Sequence, residues 1–225
     1  MLVISIIAAV FSPAAAAYAI AFVNQEKLTL RTPFNRLKRG QKRVHYIGLY
    51  ILLPAFYILF YILKLNRSAA SDLFNILNIQ GYILLFFMAV IAVIDYEQKK
   101  IPNMILVYML IAWALTMAPQ IGLDVEAGFS QLVYSILGLL LGGGLFSAVY
   151  IISRKNIGGG DVKLIAVVGL YVAVHRILPV IFYGTLLAAV VGFALILFGK
   201  LTKKDSIPLS PFLFIGAYIT LLITN

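Results

Sequence analysis

The chain has 225 residues, 63% of them hydrophobic and 12% charged, with a mean hydropathy of +1.02. Soluble domains are nearer half apolar and a quarter charged, so this composition excludes a soluble globular enzyme and predicts helices long enough to cross a bilayer. There is no cysteine, which excludes disulfides, thiolate catalysis and cysteine-ligated zinc.

In chain order, eight apolar segments are predicted: 2–23, 46–63, 80–95, 103–119, 128–152, 162–175, 178–199 and 208–223. The third, fourth, sixth and eighth are short for the ~20 residues a span requires. The sixth runs into His175-Arg176-Ile177-Leu178-Pro179 and either ends there or bends into the seventh. The expected fold is therefore an all-α, polytopic transmembrane bundle of about eight helices in a single integral membrane domain, residues 1–225.

The loops between segments carry the charge. Loop 24–45 holds Lys27, Arg31, Arg36, Lys38, Arg39, Lys42 and Arg43. Lys99-Lys100 follows two loops later, then Arg154-Lys155, then Lys200, Lys203 and Lys204. The alternate loops hold only Lys64, Arg67 and Arg176, with Asp72, Asp124 and Glu126. This is the positive-inside pattern. It places the basic loops in the cytoplasm and both termini outside, and it accounts for the net charge of +10 through topology and the lipid bilayer rather than through nucleic acid. The first apolar segment has no basic residues before it, which is unlike a cleaved signal peptide, so it is expected to stay as a helix.

"GLLLGGGLF", 138–146, puts Gly138 and Gly142 at the GxxxG spacing. With no carboxylate nearby, these glycines are expected to let two helices pack closely. No HExxH is formed by His45 or His175, and no serine–histidine motif is visible, which leaves the acids as candidates for chemistry.

Of eight acidic residues, Glu26, Asp72, Asp124, Glu126 and Asp205 fall in loops, and Glu97 sits among basic residues. Asp95 and Asp161 remain. Asp95 ends the third segment, which runs inward, and Asp161 begins the sixth, which runs outward. The charge alternation thus sets both at cytoplasmic helix ends at similar depth. Facing carboxylates repel as twin anions and share one proton. The ionised partner can take a proton from water and the protonated one can polarise a peptide carbonyl, which is general acid/base hydrolysis. The structural counterpart is an N-cap at Asp161 and an i+4 pair of Asp95 with Lys99.

Gly158, Gly159 and Gly160 lead into Asp161. A loop without side chains lets a substrate backbone approach, permits positive φ and breaks the helix. In "KKIPN", Pro102 restricts Ile101 to extended geometry, and Asn103 is expected to cap the next helix, making either an ordinary helix–turn–helix corner or a rigid corner that aims Asp95.

Together these stretches resemble the type IV prepilin peptidases, membrane aspartic proteases with a GxGD motif. "AVIDYEQKKIPN" is similar to the family's first motif, "GGGDVKLIAVVGLY" to its second, and "IPLSPFLFIGAY" (207–218) to the proline-rich start of its last helix, covering roughly 80–223. The resemblance implies Asp95 and Asp161 as the catalytic pair, acting through water without metal or cofactor. It implies a prepilin-like precursor as substrate, cut after a glycine at the cytoplasmic face of a bacterial or archaeal membrane. Lys163 matches the motif's lysine and is expected to hold the substrate or a carboxylate, or to snorkel to the interface. Larger members carry a cysteine-rich domain between the first two helices and an N-methyltransferase activity. Loop 24–45 has no cysteine, so a compact peptidase without that second activity is expected. The alternative is a transporter using the same carboxylates to relay protons or bind cations.

Overall fold

The computed structural model describes residues 76–153, 158–200 and 206–223. Within them lie five helices: α1 (Ile76–Gln98), α2 (Asn103–Leu123), α3 (Val125–Ile152), α4 (Gly159–Leu197) and α5 (Ser210–Ile223), and the described residues contain no strand. Segments 2–23 and 46–63, loop 24–45 and the placement of both termini lie outside the described residues. Four helices are long and apolar enough to cross a membrane, and the chain is a multi-pass membrane protein.

α1 is the enclosed helix: 72% of its most apolar stretch is buried, against 17% for α2 and 22% for α3 and α4. Its sequence is apolar on all sides, as a helix buried all round must be. Leu84, Leu85, Met88, Ile91 and Ile94 are buried almost completely. The outer faces of α2 and α3 instead expose large apolar side chains such as Tyr108, Leu115, Phe129 and Leu140, which suits contact with lipid chains. α2 continues past Pro119, one turn beyond the expected end at 119, and stops at Leu123. A single residue, Asp124, then ends α2 and caps α3, its carboxylate accepting the Ala127 N–H at 3.0 Å.

The expected sixth and seventh segments form one helical stretch, α4, interrupted at a single residue. Ala173 has φ 58° and ψ 177°. Straight continuation would put Ile165 and Ile177 about 18 Å apart at 1.5 Å per residue. Yet a Cβ on Gly142 would meet Ile177 Cγ1 at 2.9 Å and Ile165 Cγ2 at 3.1 Å, and Asp161 and Thr185 line one cavity. α4 therefore folds back at Ala173 into a hairpin with arms 159–172 and 174–197. The reversal comes before the His175–Pro179 region where the sequence suggests it. The first arm is only about 21 Å long, against ~30 Å of hydrocarbon core, and its turn lies beside Gly138, in the middle of α3, rather than at the end of α3.

α3 seats this hairpin through its glycines. A Cβ on Gly138 would collide with the Gly169 carbonyl and lie 2.7 Å from the Ala173 carbonyl carbon, and a Cβ on Gly143 would lie 2.9 Å from that of Ala166. Hydrophobic driving force is absent between helices in lipid, so close packing of this kind is what holds them. On the other side, Tyr171 donates its hydroxyl to the Met109 carbonyl at 2.6 Å, tying the first arm to α2. α5 packs along the second arm, with Gly216 against Val180 and Gly184.

Candidate active site

Asp95 lies in the last turn of α1 and is 5% exposed. Burying a carboxylate is costly unless it is hydrogen-bonded. Here Asp95 Oδ2 accepts the backbone N–H of Ser210 at 3.1 Å. Ser210 is the first residue of α5, so the carboxylate sits at a helix N-terminus, where unpaired amides and the helix dipole favour negative charge. Leu209 supplies the carbonyl that starts this helix, accepting from Phe212 and Leu213 at 3.1 Å each.

Asp161 is the third residue of α4, and Gly158 is the N-cap. Asp161 is thus inside the first turn rather than the cap. Its N–H donates to the Gly158 carbonyl at 3.0 Å, and its carboxylate reaches back to a backbone hydrogen bond at Gly158, as the third residue of a capping box does.

Asp95 and Asp161 line the same cavity, of about 710 Å³, and each lies within the other's field. The rest of the wall is largely apolar: Leu145, Phe146 and Val149 from α3, Ile181 from α4, and Ile207, Pro208 and Leu209 from the segment before α5. Gly158, Lys99, Thr185 and Ser206 complete it. Such a site puts two carboxylates in the lining of one largely apolar cavity. Among the described residues, no three His, Cys, Asp or Glu side chains group as metal ligands.

The three glycines differ in role. A Cβ on Gly158 would lie 2.9 Å from Asp161 Oδ2, and one on Gly160 would lie 3.1 Å from Ile101 Cβ, whereas one on Gly159 would meet nothing within 4 Å. Gly158 has φ −66°, and the only glycine with positive φ among the described residues is Gly199. The expectation of left-handed backbone here is therefore corrected: Gly158 and Gly160 need space, not unusual dihedrals. Nor do the glycines break the helix, since Gly159 and Gly160 open it. Gly158→Ala and Gly160→Ala should each disturb the Asp161 loop and lower any activity of the site, while Gly159→Ala should leave it near wild type. Equal losses for all three in a kinetic comparison would contradict the geometry.

The "KKIPN" corner docks on this loop. Pro102 (φ −68°, ψ 125°) is the N-cap of α2, without a side-chain capping bond. Asn103 is the first residue inside the helix, not its cap, and its Oδ1 accepts Lys163 Nζ at 3.2 Å. Lys163 is thus bound to Asn103, joining the two motifs, rather than to either carboxylate. Lys99 does not pair with Asp95 as i+4 spacing suggests. Its backbone N–H donates to the Asp95 carbonyl at 2.8 Å, and its Nζ bonds to Ser206. Sequence reasoning offered Lys99 only as a cytoplasmic charge or a partner of Asp95, and it missed Ser206 and Ser210. The only signal for the last two was the proline-flanked run before α5.

A profile of the type IV leader peptidase family matches residues 82–193, a span that includes both aspartates. The chain belongs to that family. Consistent with this, the prepilin leader peptidase/N-methyltransferase of Bacillus subtilis (strain 168) is 28% identical over 137 residues, 60% of this chain and 52% of that protein. The chain spans about half the length of this curated relative. No solved structure matches significantly. The segment 206–209 and α5 fall outside the matched span of the leader peptidase profile.

Proposed function

We propose that this chain is a membrane-embedded aspartic endopeptidase that removes the basic leader from prepilin-like precursors, cutting after a glycine at the cytoplasmic face of the membrane. The observation that carries this is the pairing of Asp95 and Asp161 in one apolar-walled cavity, in a chain of the leader peptidase family. One carboxylate takes a proton from water as the water attacks the peptide carbonyl. The other donates a proton to the carbonyl oxygen. Collapse of the tetrahedral intermediate then passes a proton to the leaving amine and breaks the C–N bond. The Ser210 N–H donates to the Asp95 carboxylate at 3.1 Å.

The cytoplasmic face follows from the positive-inside distribution of Lys99-Lys100 and Arg154-Lys155, beside the two aspartates in sequence. Gly158 leaves room at the Asp161 carboxylate, which suits a scissile glycine with no side chain. The apolar wall suits the hydrophobic stretch that follows a prepilin leader. A +10 protein repels a basic leader at long range, so docking rests on apolar contact. The test is cleavage of a prepilin-type precursor by the purified protein in liposomes. Cleavage after the leader glycine, unchanged by a chelator, is expected. Intact precursors from the same genome after long incubation would overturn the reading and turn attention to proton-coupled transport through the same acids.

A further inference from the structure

Lys99 stands where a helix of this shape usually ends in glycine. It follows α1 with φ 52°, in the left-handed region that is unfavourable for a residue with a side chain, and glycine is the common occupant of that position. A residue kept there against its backbone preference suggests a use for its side chain. The Lys99 side chain crosses to the segment before α5. Its Nζ donates to the Ser206 carbonyl at 2.8 Å and lies 3.4 Å from Ser206 Oγ.

That segment has two further attributes. Residues 206–209 form one wall of the cavity containing both aspartates, and they lead into Ser210, whose N–H holds Asp95. Lys99 is therefore bonded at both ends of a closed circuit. Its backbone N–H holds the Asp95 carbonyl, its ammonium holds Ser206, and four residues later the chain returns to the Asp95 carboxylate. Ser210 Oγ is fully buried and has no hydrogen-bond partner among the described residues, so the backbone N–H is the group by which Ser210 meets Asp95.

We propose that Lys99 is a positioning residue for the carboxylate pair: its ammonium fastens the segment 206–209 to the end of α1, so that the cavity wall and the Ser210 N–H are held against Asp95. The effect on catalysis rests on the peptidase reading, but the fastening itself does not. A left-handed site makes the test sharp, because glycine suits the backbone while abolishing the tether.

Lys99→Gly, Lys99→Met and Lys99→Arg are compared with wild type in leader cleavage, thermal unfolding and amide hydrogen exchange. Gly and Met variants are expected to lose on the order of tenfold in kcat, since small misplacements of catalytic groups are costly, with KM little changed. The Gly variant should melt no lower than wild type, and the Arg variant should recover most of the rate. Exchange at the Ser210 amide should quicken in the Gly and Met variants, a result readable even if wild type cleaves no leader. Wild-type turnover in the Gly variant, or a loss confined to KM, would overturn the proposal, the latter by making Lys99 a substrate contact. Unchanged Ser210 exchange would overturn the fastening whatever the protein's activity.

Discussion

Gly138→Ala and Gly169→Ala should each destabilise the bundle by roughly 1–3 kcal/mol, the cost of overpacking a tight contact, while Gly144→Ala should be neutral or stabilising. The three positions look alike in sequence, but their surroundings differ. A Cβ on Gly138 would strike the Gly169 carbonyl, and one on Gly169 would strike the Gly138 carbonyl in return. These are backbone atoms with no rotamer to change, so α3 and α4 must separate. Gly144 has nothing within 4 Å of its Cβ position, and alanine there recovers helix propensity worth up to about 1 kcal/mol. The consequence reaches the site, because the hairpin seated on Gly138 and Gly142 carries Asp161 on one arm and the cavity residues Ile181 and Thr185 on the other. Thermal unfolding in lipid bicelles would show the split. Similar shifts for all three variants would contradict the close approach.

Asp95→Asn and Asp161→Asn should each lower leader cleavage by about 10²–10⁴-fold, the usual range for loss of a general acid or base, with little loss of fold. Asparagine is nearly isosteric, and its amide oxygen can still accept the Ser210 N–H that Asp95 accepts at 3.1 Å. At Asp161 the amide can keep the bond to Gly158. What is lost is the ability to carry a proton to or from the reacting groups. Single-turnover kinetics would separate this from a binding defect. A variant that keeps wild-type turnover would remove its aspartate from the proposed chemistry.

Much of the site was legible because carboxylates are expensive at the ends of apolar segments. Asp95 and Asp161 stood out against five acids placed in loops, and the cavity brings them together. The GxxxG spacing of Gly138 and Gly142 correctly indicated close helix packing. The turn at Ala173 was not legible, since alanine carries no turn signal. The conformation is imposed by the packing of both arms against α3. Lys99 reads in the sequence as a cytoplasmic charge or an i+4 partner of Asp95, because its left-handed backbone leaves no mark there. The Ser210 contact was invisible for a different reason: it uses a backbone N–H that any residue but proline would supply. Asn103 and Lys163 were each assigned separate duties, whereas they bond to each other across 60 residues, a pairing only the fold creates.

The central claim is that Asp95 and Asp161 act on one substrate bond as a unit. The most direct test is a double-mutant cycle on leader cleavage with Asp95→Asn, Asp161→Asn and the double variant. Groups that act together are strongly non-additive, so the double variant should be little slower than either single one. Independent, multiplying losses would contradict a shared catalytic pair.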